Sequence, residues 1–145
     1  MFEKILFPTD FSEVSEKALR YIKELTKSGL KEVVVLHVVD IRILEASHGY
    51  LSGKDIEGYE TSKLEDTREA LNTIEKHLSG EGLMVKTRVE IGFPLQEILR
   101  IEKEEDVSMI VLGSHGLSNL QEMFLGSVSE KVLRKCKNPI LVIKR

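Results

Sequence analysis

Short apolar runs separated by stretches of helical periodicity leave this chain few ways to fold. Residues 4–7 (Lys-Ile-Leu-Phe), 33–39, 109–112 and 140–143 form such runs, and apolar residues recur every three or four positions between them. Strand and helix signals alternating in this way read as βαβ units around a parallel sheet. The run Val33-Val34-Val35-Leu36-His37-Val38-Val39 is β-branched and almost uninterrupted, as a central strand covered on both faces must be. Residues 85–91 alternate instead, with Val85, Thr87, Val89 and Ile91 on one side and Lys86, Arg88 and Glu90 on the other, the pattern of a half-exposed edge strand. Right-handed crossovers then predict an α/β fold: a five-stranded parallel open sheet in the order 3-2-1-4-5, with helices on both faces.

Four helices are expected. The first carries Val14, Ala18, Tyr21, Ile22 and Leu25 and closes at Gly29; the second carries Leu64, Thr67, Leu71, Ile74 and Leu78; the third opens at Gly92-Phe93-Pro94; the fourth presents Val128, Val132, Leu133 and Cys136 inward. Residues 40–58, with Gly49, Gly53 and Gly58, read as a long connection holding a short helical piece between Arg42 and Ser47. Residues 114–126 read as a loop. The run Glu102-Lys103-Glu104-Glu105-Asp106 reads as a solvated helix end. The last strand is apolar at every position and occupies the second sheet edge, which predicts a homodimer in which the two C-terminal strands meet across a two-fold axis.

At 145 residues and 41% apolar content, one domain over 1–145 is expected. A net charge of -3 with both signs interspersed argues against a nucleic-acid partner. The opening residues have no room for a signal peptide, and no apolar run approaches a membrane span. Cys136 is the single cysteine, which excludes an internal disulfide and fits a reducing, cytoplasmic setting.

In an open α/β sheet a ligand sits beyond the carboxyl ends of the strands, where strand order reverses. Here that point lies between strands one and four, which end in Pro8-Thr9-Asp10 and Gly113-Ser114-His115-Gly116. Glycines at 113 and 116 allow successive N–H groups to converge on a phosphate. Gly126-Ser127-Val128-Ser129 then opens a helix whose free amides form a second anion site. The plainer readings compete. Asp10 with Glu13, and Ser127 with Glu130, each resemble a helix capping box. His115 reads equally as a loop histidine, and His37, His48 and His77 are too scattered for a metal cluster.

The spacing Gly-x2-Gly-x9-Gly-Ser, with Lys-Ile-Leu-Phe-Pro-Thr-Asp-Phe-Ser, Val-Leu-His-Val and Asn-Pro-Ile-Leu-Val-Ile-Lys in order around it, resembles the ATP-binding branch of the universal stress protein family across essentially the whole chain. The resemblance implies a Rossmann-like fold of the adenine nucleotide alpha hydrolase type and a stress-response role. It implies ATP with Mg or Mn on its phosphates, and dimers. By the same likeness Asp10 binds ribose, Val38 main-chain groups meet adenine, and Pro8, Thr9 and Leu112 line the pocket. Gly113, Ser114, His115, Gly116, Gly126, Ser127, Val128 and Ser129 hold the phosphates.

No Gly-x4-Gly-Lys-[ST] motif is present, so the lysine of that phosphate loop is missing. No residue stands out as a base or a stabiliser of a transferring phosphoryl group, which predicts at most slow or partner-dependent ATP hydrolysis within a regulatory module. The rival is a nucleotide-free dimeric interaction protein of the same fold. A phosphoacceptor receiver would need an acidic pair after strand one and an aspartate after strand three; Pro8-Thr9-Asp10 and Gly92-Phe93 stand there instead. A nicotinamide or flavin carrier would need Gly-x-Gly-x-x-Gly after strand one.

Overall fold

The computed structural model describes residues 1–80, 82–114 and 127–145. Its strands are β1 (Lys4–Pro8), β2 (Glu32–Asp40), β3 (Met84–Gly92), β4 (Met109–Gly113) and β5 (Ile140–Ile143). They form one sheet in the order β3-β2-β1-β4-β5, parallel throughout, as the run pattern predicts. The described α-helices are α1 (Glu13–Leu25), α2 (Ile41–His48), α3 (Gly53–Ser79), α4 (Pro94–Glu104) and α5 (Ser127–Lys135).

The two-residue period of the strands sorts the core into two layers. Ile5, Phe7, Val33, Val35, Met109 and Val111 point to one face, where Ala18, Leu19 and Ile22 of α1 and Leu71 and Leu78 of α3 cover them. Leu6, Val34, Leu36, Ile110 and Leu112 point to the other, under Ile98 and Ile101 of α4 and Val132 of α5. Both faces of β1 and β2 are buried, which is why their sequences show no alternation. After α1 the chain makes a short 3-10 turn (Thr26–Ser28) and reverses at Gly29, whose φ of 100° favours a residue without Cβ.

Three expectations and one competing reading need correction. The short helical piece expected between Arg42 and Ser47 is α2, but the rest of 40–58 is not a plain connection, because α3 begins at Gly53 and runs through Gly58. Glycine content there suggested a loop, but Gly53 occupies the first helical position, and a helix carrying Gly58 on an exposed face costs only about 1 kcal/mol relative to alanine. Leu133 does not face inward; it is 45% exposed, because a residue one step past Val132 is rotated about 100° from the buried stripe.

The acidic run is not a solvated end. Glu102 is 5% exposed, and its Oε1 accepts from Lys137 N, Asn138 N and Asn138 Nδ2 at 2.8–3.0 Å, pinning the turn into β5 to α4. Glu105 is equally buried and accepts from Lys86 Nζ (2.6 Å), Arg88 Nη1 (2.8 Å) and Lys4 Nζ (3.3 Å). Finally, Asp10 is not the cap of α1. Ser12 holds that position, its Oγ accepting from Ser15 N at 3.4 Å.

Candidate functional site

A pocket of about 350 Å³ opens at the carboxyl ends of β1, β2 and β4, at the point where the strand order reverses. Its lining comes from both ends of the expected motif. β1 and its following turn supply Pro8, Thr9 and Asp10; β2 supplies Leu36, His37, Val38, Val39 and Asp40; β4 supplies Leu112 and Gly113; α5 supplies Ser127, Val128 and Ser129. Every described residue singled out from the sequence lies on this wall except Ser114, which is buried just past β4 with its amide bonded to Ile143 O at 2.8 Å. His115, Gly116 and Gly126, like the rest of 115–126, lie outside the described residues.

The turn after β1 is tightly organised. Thr9 N donates to Leu36 O at 2.8 Å, and Thr9 Oγ1 accepts from Phe11 N at 3.1 Å. Asp10 Oδ1 accepts from Ser12 N at 3.0 Å and from Ser15 Oγ at 3.3 Å. These bonds use one carboxylate oxygen; Oδ2 has no hydrogen-bond partner among the described residues. Phe11 sits at φ 63°, a left-handed conformation unfavourable for a bulky side chain, and its ring stacks on His37 with centroids 4.6 Å apart.

His37 was not singled out from the sequence, yet it ties the two central strands together. Its Nδ1 lies 2.7 Å from Thr9 O; a carbonyl only accepts, so Nδ1 carries the proton and Nε2 is left as an acceptor. Burial holds the imidazole below its usual pKa; the bond to Thr9 and the charge of Asp10 oppose this, and Lys63 adds to it. The ring is therefore neutral near pH 7. A histidine interrupting a valine run at the carboxyl end of a central strand was the available signal.

On the opposite side, α5 opens toward the pocket with its first-turn amides and the positive end of its dipole. Ser127 lies within α5 rather than capping it, and Glu130 pairs with Arg134 at 2.8 Å. Ser129 Oγ donates to Gly113 O at 2.7 Å, bracing α5 against β4. Two further lining residues, Ile43 of α2 and Lys63 of α3, come from the segment expected to be a connection or plain helix. Asp40 caps α2 through Arg42 N at 3.0 Å, and the Arg42 guanidinium beside it holds its carboxyl below the usual range.

Cys136 takes part in none of this. It packs on the second core layer, and burial, with Glu102 nearby, raises its thiol pKa, as expected of a small packed hydrophobe. Among the described residues no group of three or more His, Cys, Asp or Glu could hold a metal ion, and no helix is long and apolar enough to cross a membrane.

Comparison with known proteins agrees with the architecture. The family model described as the universal stress protein family matches residues 1–144. The chain is 39% identical to Universal stress protein MJ0577 of Methanocaldococcus jannaschii, over 100% of its own length and 96% of that protein. It is 33% identical to Universal stress protein YxiE of Bacillus subtilis, over 99% and 100% of the two chains. The solved structure of hypothetical protein MJ0577 superposes with a TM-score of 0.88 at 38% identity, covering 100% of this chain and 97% of that one.

Proposed function

The chain belongs to the universal stress protein family, and from that premise we propose that it holds ATP in the crevice between β1 and β4 as a nucleotide-dependent regulatory module of the stress response. One observation carries the reading. The crevice brings a carboxylate with an uncommitted oxygen, Asp10, opposite a helix N-terminus bearing Ser127 and Ser129, the two chemistries that a ribose and a phosphate chain require. In this reading Val38 main-chain groups meet adenine, Pro8, Thr9 and Leu112 form the apolar wall, and Asp10 Oδ2 accepts from ribose hydroxyls. The first-turn amides of α5 and Gly113 face the phosphates, and the family likeness adds Ser114, from just past β4, and His115, Gly116 and Gly126, which lie outside the described residues. The volume lies within the range of small-molecule sites.

A triphosphate would bring Mg²⁺ or Mn²⁺ on its own oxygens, the described residues having no cluster to hold one. Hydrolysis, if present, is slow or awaits a protein partner, because positioned groups for water and for the transferring phosphoryl are wanting among the described residues. The single thiol fits a cytoplasmic protein, and the open β5 edge fits a homodimer. A second reading, a nucleotide-free dimeric interaction protein, draws support from the Ser114 amide and the Ser129 hydroxyl, both already engaged within the chain.

Mass spectrometry of small molecules released from freshly purified protein separates the two, followed by calorimetry with ATP, ADP and AMP. We expect adenine nucleotide to be retained, and Asp10→Ala to weaken binding by about 1.5–3 kcal/mol, the worth of a charged hydrogen bond. Protein that neither retains nor binds nucleotide overturns the ATP reading in favour of the second.

A further inference from the structure

The crevice holds a cation that the missing phosphate-loop motif would not lead one to expect. Lys63 lines it from α3, sharing that wall with Asp10, Ser15 and His37. Half-buried cations elsewhere in the described chain have acceptors: Lys4 pairs with Glu32 and Glu105, Arg88 with Glu90, Glu104 and Glu105, and Lys17 donates to Lys144 O. Lys63 is half-buried too, yet among the described residues it has no hydrogen bond or ion pair. Its charge is felt within the pocket, where it disfavours protonation of His37. An ammonium that lines a crevice and has no acceptor among the described residues leaves its charge available to an anion that enters.

We propose that Lys63 pairs with the phosphate attached directly to the ribose of the bound nucleotide. This rests on the ATP reading above. Asp10 marks the ribose end, and Lys63 enters from α3, which packs on β2 and β3, with the charges of both felt at His37 between them. The first phosphate lies one methylene from the ribose ring, so it is the anionic group that falls nearest that wall, while the amides at α5 and β4 face the remainder of the chain. A lysine acting as a point charge needs no bidentate geometry for this role.

The test is Lys63→Gln, at a half-exposed helix position where the fold does not depend on the charge, with calorimetric affinities for adenosine, AMP, ADP and ATP at low and high salt. We expect AMP, ADP and ATP each to lose about tenfold at low salt and less at high salt, as a screened charge contact would, with adenosine unchanged and Lys63→Arg retaining most of the affinity. An equal loss for adenosine would show a structural role, a loss confined to ATP would move the contact to the terminal phosphate, and no loss would remove the contact; each overturns the proposal. Wild-type protein that binds none of the four defeats the ATP reading itself and this inference with it.

Discussion

Glu105 shows at the scale of one side chain how a charge can be buried to advantage. Burial alone would raise its pKa, but hydrogen bonds from Lys86, Arg88 and Lys4 outweigh that and bring it from 4.5 down to about 2. A carboxylate whose folded pKa is depressed stabilises the fold above its unfolded value and loses that contribution as pH falls toward the folded one. The window here is roughly pH 4.5 down to 2, and the shift corresponds to about 3 kcal/mol at pH 7. Glu105→Gln should therefore unfold at lower urea concentration at pH 7, and its deficit relative to wild type should shrink by more than half at pH 3. A deficit that stays constant between the two pH values would assign the loss to packing. This role was illegible in the sequence because the partners of Glu105 are distant: Lys4 stands 101 positions away and Lys86 19. The same holds for Glu102, whose acceptor oxygen serves amides 35 and 36 positions on. A local run of acids carries no mark of which members will meet donors.

Among the elements, the strands were legible and the second crossover was not. Strands β1, β2 and β4 are buried on both faces and announce themselves by unbroken apolar runs, while β3 announces its edge position by alternation. Helix α3 hides because its first half buries little: between 53 and 63 nothing is fully buried, and the first buried residue is Thr67. Without an apolar stripe, Gly53 and Gly58 dominated the reading, and Ile43 and Lys63 were lost to the candidate site with it. Asp10 is marked by its place after β1, Ser127 by the start of a helix, and Val38 by the family resemblance alone; Lys63 lines the same pocket from a helix, with no motif to mark it. The helical state of Gly58 is testable directly. A Cβ there would meet nothing within 4 Å, so Gly58→Ala should raise stability by about 0.5–1 kcal/mol, seen as a higher Tm. A lower Tm would mean the segment prefers a non-helical backbone.

For the molecule as a whole, the exposed edge is the feature that asks for company. Among the described residues β5 pairs with β4 on one side only, and Val142 belongs to neither core layer. We expect two copies to join there in antiparallel fashion, so sedimentation should give a dimer, and Val142→Lys, which a lone edge strand tolerates, should give a folded monomer. A wild-type monomer at high concentration would leave the edge to some other cover. The parallel sheet also separates two tasks along its length. The Glu105 cluster ties Lys4 at the start of β1 to Lys86 and Arg88 of β3, and the crevice occupies the carboxyl ends of β1, β2 and β4. Polar lining residues such as Asp10, Lys63, Ser127 and Ser129 stand apart from both core layers, so exchanging them can retune what is bound while the Glu105 cluster stays intact, whereas Leu36 and Leu112 serve pocket and core together.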